Sequence, residues 1–228
     1  MCQVTGDIPR LLAVEEETLI REGTGLYCHS ENNDVAGLPN FNLTHEHLNE
    51  VLIYDGFITD EILNAYHHVL WYHMRDHHPE ASFFIFNTYF FSILKQDMAK
   101  AIEFHEKVLE DLILVPVHIH GNHWTLLVAD LKKDEIRYYD SLGGQNAEGT
   151  RLFKQYLQLR LVKEGMPQRE WKIVVPVVPG QEVNDCGIFT LRFGLHELHN
   201  LCIDFGQKEM DKFRPRVVFD ILQGEITF

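Results

Sequence analysis

The sequence predicts an α+β fold, a central mixed or antiparallel sheet flanked by helices, and three observations carry that prediction. Helical patterns fill the stretch from Leu43 to His77, a meander of three short apolar strands runs from Leu112 to Tyr139, and helical patterns return after Asn184. Helices grouped at either end of an antiparallel run, in place of regular strand and helix alternation, argue against a doubly wound parallel sheet.

The elements follow in order. Residues 1–40 read as an N-terminal arm, partly irregular, with an acidic patch at Glu15–Glu17 and a Gly/Asn-rich stretch from Gly23 to Asn40. Residues 41–228 read as one domain. Thr44, with His47 three residues on, opens a short helix; Asp60 opens a longer one that runs to about His77 and stops before Pro79. The aromatic segment Phe83–Phe91 is core, and Met98–Leu112 has a helical pattern. Leu112–Ile119, Trp124–Leu131 and Glu135–Tyr139 are strands rich in Val, Ile, Leu and Tyr, the last two joined by Lys132-Lys133-Asp134. Gly143-Gly144 ends the meander. An amphipathic helix spans Gln145–Lys163, a strand spans Lys172–Val178 before Pro179-Gly180, and Asn184-Asp185 precedes a helix with Ile188, Leu191, Leu195 and Leu198 on one stripe.

Composition narrows the function. With 20 Lys+Arg against 34 Asp+Glu the chain carries −14, and 45% of its residues are hydrophobic. That is too apolar for a disordered acidic tail, and no run approaches the roughly 18 apolar residues of a membrane span. Phosphate binding relies on Lys and Arg, so the charge argues against nucleic acid and favours a partner with a basic face. Cys2, Cys28, Cys186 and Cys202 are dispersed without a CxxC pair, which suits a reducing compartment. The first residues lack a secretory pattern, so the expected location is intracellular, in nucleus or cytoplasm, with an injected effector as the alternative.

Two places could hold chemistry. If Leu131 faces Glu135 across the hairpin, Asp140 falls near Leu126 and His123 near Gly143, which makes His123 and Asp140 neighbours. A carboxylate beside an imidazole orients the ring and stabilises the imidazolium, although a surface His near a turn Asp is the plainer reading. Cys186 falls in the first turn of a helix that Asp185 or Asn184 can cap, where the helix dipole favours a thiolate, and Gly187 would admit a substrate backbone. A Cys at a helix start can equally be a small buried residue.

Taken together, His123-Trp124, Tyr138-Tyr139-Asp140-Ser141-Leu142-Gly143-Gly144, Gln181 and Asp185-Cys186-Gly187 resemble the SUMO-specific cysteine proteases of the Ulp/sentrin-specific type. The resemblance also takes in Phe57–Leu63, Phe86–Phe90 and Leu114–His118, and ends at Phe213-Arg214-Pro215-Arg216-Val217-Val218. It implies a papain-like fold and makes residues 41–228 a Ulp-type catalytic domain. It further implies a triad of Cys186 as nucleophile, His123 as general base and then acid, and Asp140 as orienter. The substrate would be the C-terminal diglycine of SUMO or a related ubiquitin-like modifier, in a precursor or on a conjugate lysine. No cofactor and no metal is implied, and the chain would act as a monomer. Trp124 matches one wall of the tunnel that encloses the diglycine, where only residues without a Cβ pass between two rings. The family's second Trp is here Phe57, which gives a smaller roof, and Asp60 matches an Asp that meets an Arg of the modifier. Gln181 matches the oxyanion donor but lies five residues before Cys186, one closer than usual; Asn184 is the alternative donor.

Other readings compete. His118-Ile119-His120-Gly121-Asn122-His123 imitates a zinc motif of metallo-hydrolases with Asn in place of Asp, but no later ligand set completes a shell. The His-rich helix with His67, His68, His73, His77 and His78 contains an i,i+4 pair at His73 and His77 and reads as a solvated or partly core face. Relatives in the wider clan acetylate proteins or bind modifiers without turnover; an intact His123, Asp140 and Cys186 favours a protease. Ubiquitin and NEDD-type modifiers are the alternative substrates.

Overall fold

The structure is a computed structural model that describes Glu16, Ile20, Phe41 and residues 43–227; the arm expected over residues 1–40 otherwise lies outside the described residues. In chain order the elements are α1 (His45–Leu52), α2 (Asp60–His77), β1 (Phe83–Ile85), α3 (Phe90–Gln96), α4 (Met98–Glu103), β2 (Leu112–Ile119), β3 (His123–Asp130), β4 (Glu135–Tyr139), α5 (Ala147–Lys163), β5 (Lys172–Val174), α6 (Cys186–Leu198) and α7 (Gln207–Gln223). The described residues fall into two compact units, residues 80–178 and the described residues before 80 together with those after 178.

The first of these units holds the sheet. Its order is β1-β2-β3-β4-β5, and it is mixed: β2, β3 and β4 form the antiparallel meander, while β1 and β5 join its two edges in parallel. All eight residues of β3 are buried, as befits a central strand covered on both faces. Phe86, Phe90, Val115, Val117, Leu127, Tyr138, Phe153, Tyr156 and Trp171 form a continuous core between sheet and helices. The Asn146 side chain caps α5 by accepting from the Gly149 N–H at 2.8 Å.

Two expected elements are shorter. The helix expected over Met98–Leu112 ends at Glu103. Beyond it Arg160, fully buried on α5, donates to the carbonyls of Ile102 and His105 at 2.7 and 2.9 Å and of Glu106 at 2.9 Å. Those carbonyls are therefore satisfied without a helical ladder. The strand expected to Val178 ends at Val174, just before Pro176, which has no N–H to give a ladder. The hairpin register also differs by one: Asp130 pairs with Glu135, and Leu126 with Tyr139.

The second unit is helical. Thr44 and His47 form a reciprocal capping box at the start of α1, each side chain 3.3 Å from the other's backbone nitrogen. Helix α6 is buried on every side from Cys186 to His196, so Ile188, Leu191 and Leu195 of the expected stripe are enclosed together with the residues between them, while Leu198 is half-buried. Helix α7 ends in a Schellman motif: Gly224 has φ 70°, its N–H donates to the Ile221 carbonyl, and the Glu225 N–H donates to Asp220. Among the described residues no helix is long and apolar enough to cross a membrane.

Candidate active site

His123 opens β3, and Asp140 directly follows β4. The observed register sets Thr125 opposite Asp140, so His123, two residues along the same face, is its diagonal neighbour. The expected register would have put the two on opposite faces of the sheet, since a one-residue slip reverses every side chain. Both residues are buried, and His123 Nε2 donates to Asp140 Oδ1 at 2.7 Å.

The turn after Tyr139 holds that carboxylate. The Leu142 N–H donates to Oδ1 at 2.8 Å, and the Gly143 N–H closes the turn onto the Asp140 carbonyl at 2.9 Å. Gly143 needs its positive φ of 70°. Gly144 is required for a different reason: a Cβ there would run into Asp140 Oδ2. Burial alone would push the Asp140 carboxyl up, but hydrogen bonds from His123, Leu142 and Gly144, with the adjacent imidazole, hold it below the ordinary carboxylate range. The pair therefore presents a carboxylate fixed on one ring nitrogen.

Cys186, in the helical unit, is the first residue of α6, only 3% exposed, with a free thiol. As the first helical residue, its backbone N–H has no carbonyl within the helix to donate to. Asp185 occupies the cap position, but neither its side chain nor that of Asn184 caps the helix. The fully buried Asp185 carboxylate instead accepts from Arg214 Nε at 2.7 Å and from Gln207. Asn184 donates its backbone N–H to Asp55 Oδ1 at 2.9 Å. Gly187 serves packing within the protein, because a Cβ there would sit 2.5 Å from the Cβ of Ile58.

Arg214 is the organiser that sequence reasoning missed. Buried on α7, it binds Asp185 and donates to the carbonyls of Val51 and Gly56, each at 2.9 Å, and of Asn184 at 3.3 Å. It thus ties the start of α6 to the loop that carries Phe57. The signal was present in Phe213-Arg214-Pro215-Arg216, two guanidinium groups within an otherwise apolar helical run.

The remaining candidates lie on separate elements. Gln181 is half-buried, and its Nε2 donates to the Val183 carbonyl at 2.8 Å. Phe57 is 53% exposed in the loop between α1 and α2, and Asp60 is the first residue of α2. Trp124, buried in the sheet unit, stacks on its cross-strand partner His118 with ring centres 4.3 Å apart. His120 lies beyond β2 with φ 54°, and among the described residues the His118/His120/His123 set does not converge on a metal position.

The model of the Ulp1 protease family, C-terminal catalytic domain, matches residues 56–224. The chain is 29% identical over 179 residues to a sentrin-specific protease of Caenorhabditis elegans and 29% identical over 185 residues to sentrin-specific protease 2 of Homo sapiens. Each match covers 75% of this chain but only 26% and 30% of the respective relative. The fold is similar to that of the Chaetomium thermophilum Ulp1-like SUMO protease catalytic domain, with TM-score 0.79 and 17% identity, covering 97% of this chain and 93% of that one. It is likewise similar to the C-terminal Ulp1 protease domain solved in complex with Smt3, the yeast ortholog of SUMO, with TM-score 0.76 and 20% identity over 96% and 99% of the two chains.

Proposed function

The chain belongs to the Ulp1 protease family, and on that footing we propose that it is a cysteine peptidase cleaving after the C-terminal diglycine of SUMO or a related ubiquitin-like modifier. The observation that carries this reading is the buried 2.7 Å contact from His123 Nε2 to Asp140 Oδ1. A carboxylate fixed on Nε2 assigns proton transfer to Nδ1, and in the family's triad the partner at that nitrogen is the thiol of Cys186.

In this reading Cys186 Sγ attacks the carbonyl carbon of the terminal glycine while its proton passes to His123 Nδ1. The oxyanion receives the backbone N–H of Cys186 and one amide N–H of Gln181, whose other N–H serves the Val183 carbonyl. Collapse breaks the C–N bond, and Nδ1–H protonates the departing lysine or peptide amine. Water, deprotonated by His123, then attacks the thioester and releases the modifier's carboxylate and the thiol. Phe57 and Trp124 enclose the diglycine, and Asp60 meets a cation of the modifier. The partners are the modifier and its conjugates, and no step needs a metal or cofactor.

The test is a panel of modifiers, each ending in diglycine with a thiol-reactive group at the C-terminus. A SUMO adduct that forms on the wild type and is lost in Cys186→Ala supports the reading. An adduct with only the ubiquitin or NEDD-type member would reassign the substrate, and no adduct with any member would overturn the activity.

A further inference from the structure

At the far end of α6 from Cys186, four imidazoles meet. His73 and His77, one turn apart on α2, stack with ring centres 4.4 Å apart and planes 24° from parallel. His199, just past α6, lies 5.6 Å from His73 and 5.5 Å from His78. A cluster of imidazoles can share one cation through its lone pairs.

We propose that His73, His77 and Glu225 bind a divalent cation of the zinc class, with solvent in the fourth position. One ligand atom from each of the three lies within 4.8 Å of the others. His77 Nδ1 donates to the His73 carbonyl at 3.0 Å, because a carbonyl can only accept. That fixes the tautomer and leaves the Nε2 lone pair directed outward, 3.8 Å from Glu225 Oε1. Backbone carbonyls serve metal-binding histidines in this way, orienting the ring and raising its basicity. Glu225 is set in place by the Schellman motif, where Gly224 in the left-handed conformation turns the chain back toward α2. Two imidazoles and one carboxylate are a ligand set that suits zinc.

A tetrahedral ion with bonds of about 2.0–2.1 Å needs its ligand atoms about 3.3 Å apart. His77 and Glu225 have side chains 51% and 60% exposed and can rotate inward to supply that closure. The 13 residues of α6 span about 20 Å, which separates this site from Cys186 and makes it a clamp between α2 and the end of α7 rather than part of catalysis.

Calorimetric titration of Zn2+ into the metal-stripped full chain carrying Cys186→Ser, which removes the thiol as a competing ligand, tests the proposal. One Zn2+ per chain is expected, with a zinc-dependent rise in Tm. The double variant His77→Ala/Glu225→Gln, at exposed positions that leave folding intact, should weaken binding by about tenfold or more and abolish the rise. Absence of binding to the parent, or a loss below tenfold in the double variant, would overturn the site. Either result is independent of the peptidase reading.

Discussion

The surroundings of His123 and those of Cys186 are built in opposite ways. His123 meets its carboxylate 17 residues along the chain, across one hairpin and a short turn. The cap of Cys186 is held by Arg214, which lies 29 residues from Asp185 but reaches carbonyls 158 and 163 residues away at Gly56 and Val51. One arrangement follows from local register, the other from the closure of a whole unit. The difference implies that substitutions in the first should damage chemistry with little loss of stability, while those in the second should damage stability first.

Asp140→Asn gives the largest expected effect. The wrong imidazole tautomer should reduce turnover on a diglycine substrate by about a hundredfold to ten-thousandfold, with the denaturation midpoint nearly unchanged. Unchanged turnover would remove Asp140 from the chemistry. Arg214→Met should show the reverse hierarchy. It leaves the Asp185 carboxylate buried without its guanidinium, and chemical denaturation should report a loss of about 3–5 kcal/mol. Arg214→Lys should not restore it, because one ammonium cannot match the fork that spans several acceptors. Wild-type stability in Arg214→Met would erase the contrast between the regions.

A buried histidine without a carboxylate sharpens the comparison. His67, inside α2, has both ring nitrogens buried without a hydrogen-bond partner among the described residues, and burial lowers it to about 4. Its unfolded value is about 6.5, so below that pH the unfolded chain takes up a proton that the folded chain refuses. The contribution to stability is thus fully present above about pH 6.5 and is lost as pH falls toward 4. Between pH 8 and pH 5 His67 should therefore cost the wild type about 2 kcal/mol, a fall that His67→Leu removes. Parallel stability curves for the two proteins would show that His67 is not the titrating group. The smallest effect is expected of Gly144→Ala: the added Cβ displaces the Asp140 carboxylate, and turnover should fall by about tenfold. Combined with Asp140→Asn the loss should be less than additive; full additivity would mean that Gly144 acts elsewhere.

The same local and distant division governs what the sequence discloses. The capping box at Thr44 and His47, the span of α2 and the three meander strands are set by neighbouring residues, and they are legible to within a residue or two. The helix expected beyond Glu103 fails because Arg160, more than fifty residues away, takes the carbonyls that such a helix would use. The register slips because Asp130 faces Glu135 and turns through Leu131–Asp134, a longer turn than the charged triplet suggests; Asp134 takes φ 52° there. The nearness of His123 and Asp140 was legible in spite of that error, since both lie at the same end of one strand pair. The surroundings of Asp185 were not, because the capping signal of an Asp before a helix is the same whether its carboxylate turns to the helix or to an arginine.

The reach of Arg214 also sets an order in time. During synthesis Val51, Gly56 and Asp185 all leave the ribosome before Arg214 does, and contacts at such separations form only after the intervening chain has closed. A nascent chain that ends short of α7 carries the thiol but lacks the guanidinium that fixes the turn before it. The setting of Cys186 is thus among the last parts of the molecule to be completed, and under the proposed function a growing polypeptide has no organised thiol with which to attack its neighbours.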